Sequence, residues 1–418
     1  MKKIIVPLIA VVCLMIILAI GFRIDKSQGS TTLVIKGEFN KDDYKDIITS
    51  NNQLGFDLLL KAKENSDGNI FISPSSLLIA LSMVYNGADG VTKEEIAKVL
   101  HKEGIEAAQL NKANASLMSR LIRSSKGIQL HIANSIWLNK DYHFQDSFTN
   151  YIHDYYNAKI EEIDITSAKT PNIINDWVKQ ATNGKIEKLI EKDIDPDTVA
   201  FLLNAIYFRG DWLNEFDPKL TAKRTFHLKD GTSKQMPLMM LNEKLDYLET
   251  GDFQAVNLPY ADGKMSMKVF LPKEDSSLEE FEKILTNDSW ENWHTGFQKK
   301  EGTLFLPKFQ LEYEAEWNQA LKKLGMTTAF DEEANFTKMI KENDPLWINK
   351  VKQKTFINVN EEGSEAAAAT SVQMKTESAP AELPFHMEVN RPFFMAITDD
   401  KTGAILFLGS VSNPQTGK

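Results

Sequence analysis

The sequence predicts a mixed α+β fold, and three observations lead there. Apolar runs of strand length recur at residues 128–139, 198–209, 253–258, 264–271 and 350–359. Between them lie stretches compatible with helices at 52–64, 77–85, 144–156, 277–285 and 314–324. The third observation is residues 358–380, where Gly363 precedes a period-two pattern. Ser364, Ala366, Ala368, Thr370, Val372 and Met374 are small or apolar, while Glu365, Ser371, Gln373 and Lys375 between them are polar. Such alternation lets a strand bury one face and wet the other. Four consecutive alanines beside a glutamate would equally suit an isolated surface helix. The stretch therefore reads either as that helix or as a loop that is also an unpaired strand, with Gly363 giving the backbone freedom at its base.

Composition sets the class. With 42% hydrophobic and 25% charged residues, the 418-residue chain has core enough for an ordinary globular protein. Length alone suggests two or three domains. A net charge of −10 favours solubility and argues against nucleic acid as a partner. Cys13 is the one cysteine, so no intrachain disulfide can form.

The N-terminus carries its own signal. Lys2 and Lys3 precede an almost unbroken apolar run over residues 4–22. That pattern is a signal peptide or a membrane anchor. Ala19-Ile20-Gly21 offers small residues where a signal peptidase needs them, yet the run also has about the 20 residues that span a bilayer. Either way the chain is expected to be exported, to the extracellular space or anchored at the cell surface. Val12 before Cys13 speaks against lipid attachment there. The expected organisation is a signal or anchor at 1–22, a polar tether at 23–50 and a folded domain at 51–418.

Within the domain, Leu54, Phe56, Leu58, Leu59 and Leu60 occupy helix-compatible positions. Asn69-Ile70-Phe71-Ile72 is a short strand, and Ser73-Pro74 starts a helix with a hydroxyl before a first-turn proline. Residues 77–85 are nearly all apolar, so that helix is expected to be buried on most sides. Thr92-Lys93-Glu94-Glu95 reads as the capping box of the next. The helix around Trp177 is expected to end at Gly184. Asn204 sits alone among apolar residues in the 198–209 strand, and Gly210-Asp211-Trp212 closes it.

Enzyme signatures are missing from the sequence. There is no G-x-S-x-G elbow, no S-x-x-K, no H-E-x-x-H and no phosphate-binding loop. Seven histidines are scattered without metal-ligand spacing. Asp193, Asp195 and Asp197 alternate like the start of a calcium loop but lack its glycine and distant glutamate. No catalytic residue, metal or cofactor is expected. Lys112, Arg120, Arg123 and Lys126 form a sparse basic face that reads as solvated.

Glu361-Glu362-Gly363-Ser364-Glu365, followed by Ala366, Ala367, Ala368, Ala369 and Thr370, resembles the hinge of inhibitory serpins, including prokaryotic members. Val389-Asn390-Arg391-Pro392-Phe393-Phe394 and Phe407-Leu408-Gly409-Ser410 resemble that family's C-terminal strands, and Ser73-Pro74-Ser75-Ser76 its early helix. The resemblance runs from about residue 50 to Pro414. It implies one α+β domain of three β-sheets and eight or nine helices with an exposed reactive-centre loop, overriding the length prior. It further implies a monomeric inhibitor of serine or cysteine proteases, forming a covalent acyl complex with its target and inserting the cut loop into the central sheet. By the family's spacing the scissile bond is Glu377-Ser378, with Lys375-Thr376 as runner-up. Ser73, Ser76 and Asn204 match the polar cluster beneath the sheet opening, and Trp212 the tryptophan at its top. Gln353 stands where the family usually has a histidine; an amide keeps the hydrogen bonds but not that histidine's pH response. The alternatives are a non-inhibitory serpin acting as chaperone or binding module, and a surface-anchored structural protein.

Overall fold

A computed structural model describes residues 35–62, 68–122, 125, 127–191, 194–364 and 383–417. The 1–22 segment, Glu365 to Thr370, and both candidate scissile bonds lie outside the described residues. The folded part reaches back beyond residue 51. Tyr44 and Ile47 are buried in a short helical turn at Asp43–Ile47, and α1 (Ile48–Lys61) follows directly.

The short strand β1 (Ile70–Ile72) leads into α2 (Pro74–Gly87), every residue of which is buried. Ser73 caps α2 by accepting from the Ser76 amide, as its place before Pro74 predicts. α3 (Gly90–Val99) corrects the sequence reading, because it starts before Thr92. The Glu95 carboxylate instead accepts the amides of Thr327 and Thr328, at 2.7 and 2.8 Å, and so caps a distant turn. α4 (Ala107–Leu121) follows.

Then come β2 (Ile128–Asn139), α5 (Asp146–Tyr156), β3 (Lys159–Ile163), α6 (Thr170–Ala181) and β4 (Ala200–Asp211). β5 (Ala222–His227), β6 (Ser233–Glu249), β7 (Phe253–Pro259) and β8 (Met265–Pro272) form a meander. α7 (Leu278–Lys283) and α8 (Asn287–Gly296) each begin with a reciprocal capping box. β9 (Gln298–Pro307) and β10 (Phe309–Glu316) precede α9 (Asn318–Leu324). The helix expected from residue 314 thus begins later. Phe309, Leu311 and Tyr313 are buried while Glu312 and Glu314 are not, a period of two that makes this segment a strand. The chain closes with β11 (Lys350–Val359), β12 (Gly363–Ser364), β13 (Phe385–Glu388), β14 (Phe393–Asp399) and β15 (Ile405–Val411).

Among the described residues there are nine α-helices, and the strands join into two hydrogen-bonded sheets. One has the order β10-β11-β12-β4-β2-β3, with β11 also pairing β4 directly. The other runs β1-β15-β14-β8-β7-β6-β9-β13, with β5 on β6. The 17-residue β6 belongs to two strand sets, pairing β5 at one end and β7 at the other, so the three expected sheets make two connected units. α2 packs against β2 and β4 on one side and β15 on the other, filling the space between the sheets. On the opposite face of the six-stranded sheet, Ile174 and Val178 of α6 pack on Trp137, Phe201 and Leu203.

Candidate functional site

β4 and β11 run parallel and pair directly from Phe201 and Lys350 up to Tyr207 and Phe356. Above that point they part, and two residues of β12 fill the gap. Ser364 pairs with Val359 of β11 on one side and Gly210 of β4 on the other, antiparallel to both. The sheet therefore already holds the first step of an extra strand.

Glycine is demanded here by close approach rather than by an unusual backbone angle. A Cβ on Gly363 would lie 2.2 Å from the Gly210 carbonyl oxygen and 2.6 Å from the Asp211 Cα. Facing it, a Cβ on Gly210 would meet the Tyr260 ring at 2.7 Å. Ser364 is fully buried, and its hydroxyl lies 2.8 Å from that of Tyr260. Burial pushes the Tyr260 phenol far above its ordinary pKa, with the Ser364 bond partly opposing, so it stays neutral.

Trp212 anchors the approach. Its indole stacks flat on Tyr260 at 4.8 Å, and its Nε1 donates to the Asn360 carbonyl at 2.9 Å. The backbone amides of Trp212 and Phe216 donate to the carbonyls of Glu362 and Glu361. Glu361 is buried and accepts from Lys308 Nζ at 2.8 Å and Thr221 Oγ1 at 2.9 Å. Burial works against its ionisation, but Lys308, its own amide and Thr221 together outweigh that and hold the carboxyl below its ordinary pKa. Nearby, Glu215 is pushed the other way by burial and by the charges of Glu362 and Asp211.

One level down, the four expected cluster residues do meet. Gln353 Nε2 donates to Asn204 Oδ1 at 2.8 Å and to the Ser73 carbonyl at 2.9 Å, while its Oε1 accepts the Ser73 amide at 3.1 Å. Gln353 thus donates and accepts, as the amide-for-imidazole reasoning anticipated. Asn204 Nδ2 donates to Asn134 Oδ1 at 2.6 Å and also to the Ser76 hydroxyl. Ser73 Oγ donates to the Leu406 carbonyl at 2.6 Å, tying the cluster to the other sheet. Asn134 was not legible in the sequence, because β2 also carries Gln129, Ser135 and Asn139 and so does not single it out as Asn204 is singled out. Tyr260, Lys308 and Thr221 were also missed, since nothing local distinguishes a tyrosine after a proline or one lysine among many.

Among the described residues no group of histidine, cysteine and carboxylate side chains is arranged to hold a metal ion. No helix there is long and apolar enough to cross a membrane. Arg120 of the basic face turns inward, donating to the Lys41 carbonyl and lying 4.3 Å from the Tyr44 ring centre.

The family model for serpins, serine protease inhibitors, matches residues 49–414. The chain is a serpin. An uncharacterised serpin-like protein of the archaeon Methanosarcina acetivorans is 32% identical, aligned over 89% of this chain and 87% of its own. Human serpin B8 is 35% identical over 84% of this chain and 95% of its own. Among solved structures, the thermophilic serpin tengpin in its native state superposes with a TM-score of 0.80 at 33% identity, covering 91% of this chain and 96% of tengpin. Human thyroxine-binding globulin, solved with thyroxine bound, superposes at 0.81 with 27% identity, covering 89% of this serpin and all of the globulin chain. The family thus contains protease inhibitors in the main and at least one thyroxine-binding protein besides.

Proposed function

We propose that this serpin inhibits serine or cysteine proteases as a suicide substrate, and the observation that carries the reading is the seat of Ser364 between β4 and β11. Extending the Ser364 register two residues at a time would set Ala366 between Ile357 and Phe208. Ala368 would then fall between Thr355 and Ile206, and Thr370 between Gln353 and Asn204. All six flanking residues are buried, so an incoming strand needs small, uncharged side chains at those positions. The sequence supplies alanine, alanine and threonine. The threonine hydroxyl would arrive between the two amides that now bond each other, able to donate to one and accept from the other.

In this mechanism the protease supplies the catalysis. Its nucleophile attacks the carbonyl of Glu377, or of Lys375, forms the acyl-enzyme and releases the segment beginning at Ser378 or Thr376. Strand insertion then carries the acylated protease away before water can complete hydrolysis. Glu377 selects an acid-preferring protease and Lys375 a trypsin-like one. Residues 1–22 fit an export signal or anchor, and the inhibitor would work outside the cell or at its surface.

The test is incubation of the exported domain with a protease panel, followed by denaturing electrophoresis and mass spectrometry. A detergent-stable complex with a released fragment starting at Ser378 is the expected result. A start at Thr376 moves the specificity to basic sites. Clean cleavage by every protease without any complex overturns the inhibitory reading in favour of a binding or chaperone role.

A further inference from the structure

Residues 182–191 cross the front of the six-stranded sheet like a strap, and their anchoring is uneven. α6 ends at Ala181 with Thr182 as its C-cap, after which Asn183 and Gly184 both take left-handed backbone angles, φ 51° and 77°. The chain then turns back across the sheet. Asn175 binds the strap to α6 itself, accepting the amides of Leu189 and Ile190 and donating to the Ile190 carbonyl. Two lysines of β11 reach it from one side: Lys352 Nζ donates to the Leu189 carbonyl at 3.0 Å and Lys354 Nζ to that of Lys188 at 2.9 Å. On the β2 side Asn183 Nδ2 donates to His131 Nε2 at 3.1 Å.

We propose that His131 makes one end of this strap acid-released: protonation of the ring breaks its hold on Asn183 and loosens residues 182–185, while Ile186, Leu189 and Ile190 stay buried on the sheet. An amide nitrogen can only donate, so the bond requires Nε2 to be an unprotonated acceptor. The imidazolium turns that acceptor into a donor facing a donor. Asn183 can turn its oxygen inward, but the half-buried ring would then carry a charge on a face it shares with the Tyr207 ring. Among the described residues the histidines paired with carboxylates are His101, His143, His153 and His386, not His131.

The surroundings of the ring are few in kind. From β4, Tyr207 stacks on it at 5.9 Å, and Arg209, two residues on, is paired with Asp211 at 3.5 Å. From β11, Phe356 and Lys354 share this face, Lys354 being paired with Glu312. From the strap and the end of α6, Lys179 is paired with Glu187 at 3.1 Å. None is a second imidazole. Burial pushes Tyr207 up to about 12, so it stays neutral.

Burial also lowers the pKa of His131. The neutral ring, and with it this end of the strap, is therefore intact above the ordinary histidine value of about 6.5 and is lost as pH falls through the lower folded value. This titration is separate from the polar cluster, where Gln353 has none. Widening the β4–β11 gap carries β11 away from β2 and stretches the strap between its two ties. If the loop inserts as proposed above, acid release should speed it; the release itself does not depend on that reading.

Hydrogen exchange of the whole protein, followed between pH 7.5 and 5 and corrected for intrinsic rates, tests the proposal. Amides of residues 183–186 should lose protection several-fold below pH 6.5, while β2, β4 and the Leu189 and Ile190 amides bonded to Asn175 keep theirs. His131→Gln should show no such step. A flat wild-type profile, or an equal step in His131→Gln, overturns the proposal. Should His131→Gln fold poorly, Asn183→Gly keeps the ring and the left-handed turn and removes only the partner amide: it should lack the step. A wild-type step in Asn183→Gly likewise sinks the idea. Exchange needs no target protease, so failure of trapping would remove the inhibitory reading and leave the strap standing.

Discussion

Glu361 shows how single residues hold the base of the loop. Its carboxylate is buried against Lys308 and Thr221, and its carbonyl accepts the Phe216 amide, so side chain and backbone are fixed together. Glu361→Gln keeps the shape and the Thr221 bond but removes the charge opposite Lys308. Because Lys308 is itself 44% exposed, the loss should be about 1 kcal/mol, at the upper end for a pair open to water on one side. Its pH dependence has a definite sign. The folded-state pKa lies below the ordinary value, so the contribution is complete above the unfolded carboxylate range and fades as pH falls through the folded value. Chemical denaturation at pH 7 should therefore separate wild type from Glu361→Gln, and the gap should close towards pH 3. A gap that persists there would assign the effect to packing. The sequence offers Glu361 as a hinge residue, but its partner sits between β9 and β10, 53 positions away, and no local pattern announces such a pair.

At the scale of elements, what was legible followed from local rules. β2 and β11 begin and end where their apolar runs do, and α2 is buried throughout because it has no polar face to show. The two misreadings share one cause. Thr92–Glu95 fits a capping box and 314–324 fits a helix, yet in both a partner remote in sequence decided the matter: Thr327 and Thr328 take the Glu95 carboxylate, and β11 pairs with β10 through Glu316. The partial strand β12 was legible only as a tendency. Its alternation is in the sequence, whereas the gap it enters exists because β4 and β11 part above Tyr207 and Phe356. Extending β12 downward would add ladder hydrogen bonds to two neighbours and bury the small face of the loop. Clean cleavage near Glu377 should accordingly raise the melting temperature well above that of the intact protein. An unchanged melting temperature would mean that the cut loop stays out.

The proposed insertion couples these parts, because the six-stranded sheet would have to open where several contacts now close it, and the Ser364 register gives the sharpest test of whether it does. Ala368 would enter between Thr355 and Ile206, both fully buried, on the face against α2 and β1. Ala368→Arg would have to place a guanidinium there without a partner, at a cost of at least several kcal/mol after relaxation. Attack at Glu377 lies nine positions downstream and should proceed at a normal rate. The variant should therefore be cleaved yet fail to trap, turning inhibitor into substrate. The control position follows from the same register. Ala367 would meet Phe356 and Tyr207 beneath the His131 contact, a crowded place, whereas Glu365 would meet Asn358 and Arg209, which are only partly buried. Glu365→Gln should hence trap nearly as well as wild type. Normal trapping by both variants would show that no strand enters between β4 and β11. Failure of both alike would leave insertion possible but overturn the register, and with it the assignment of Ala366, Ala368 and Thr370 to the buried face.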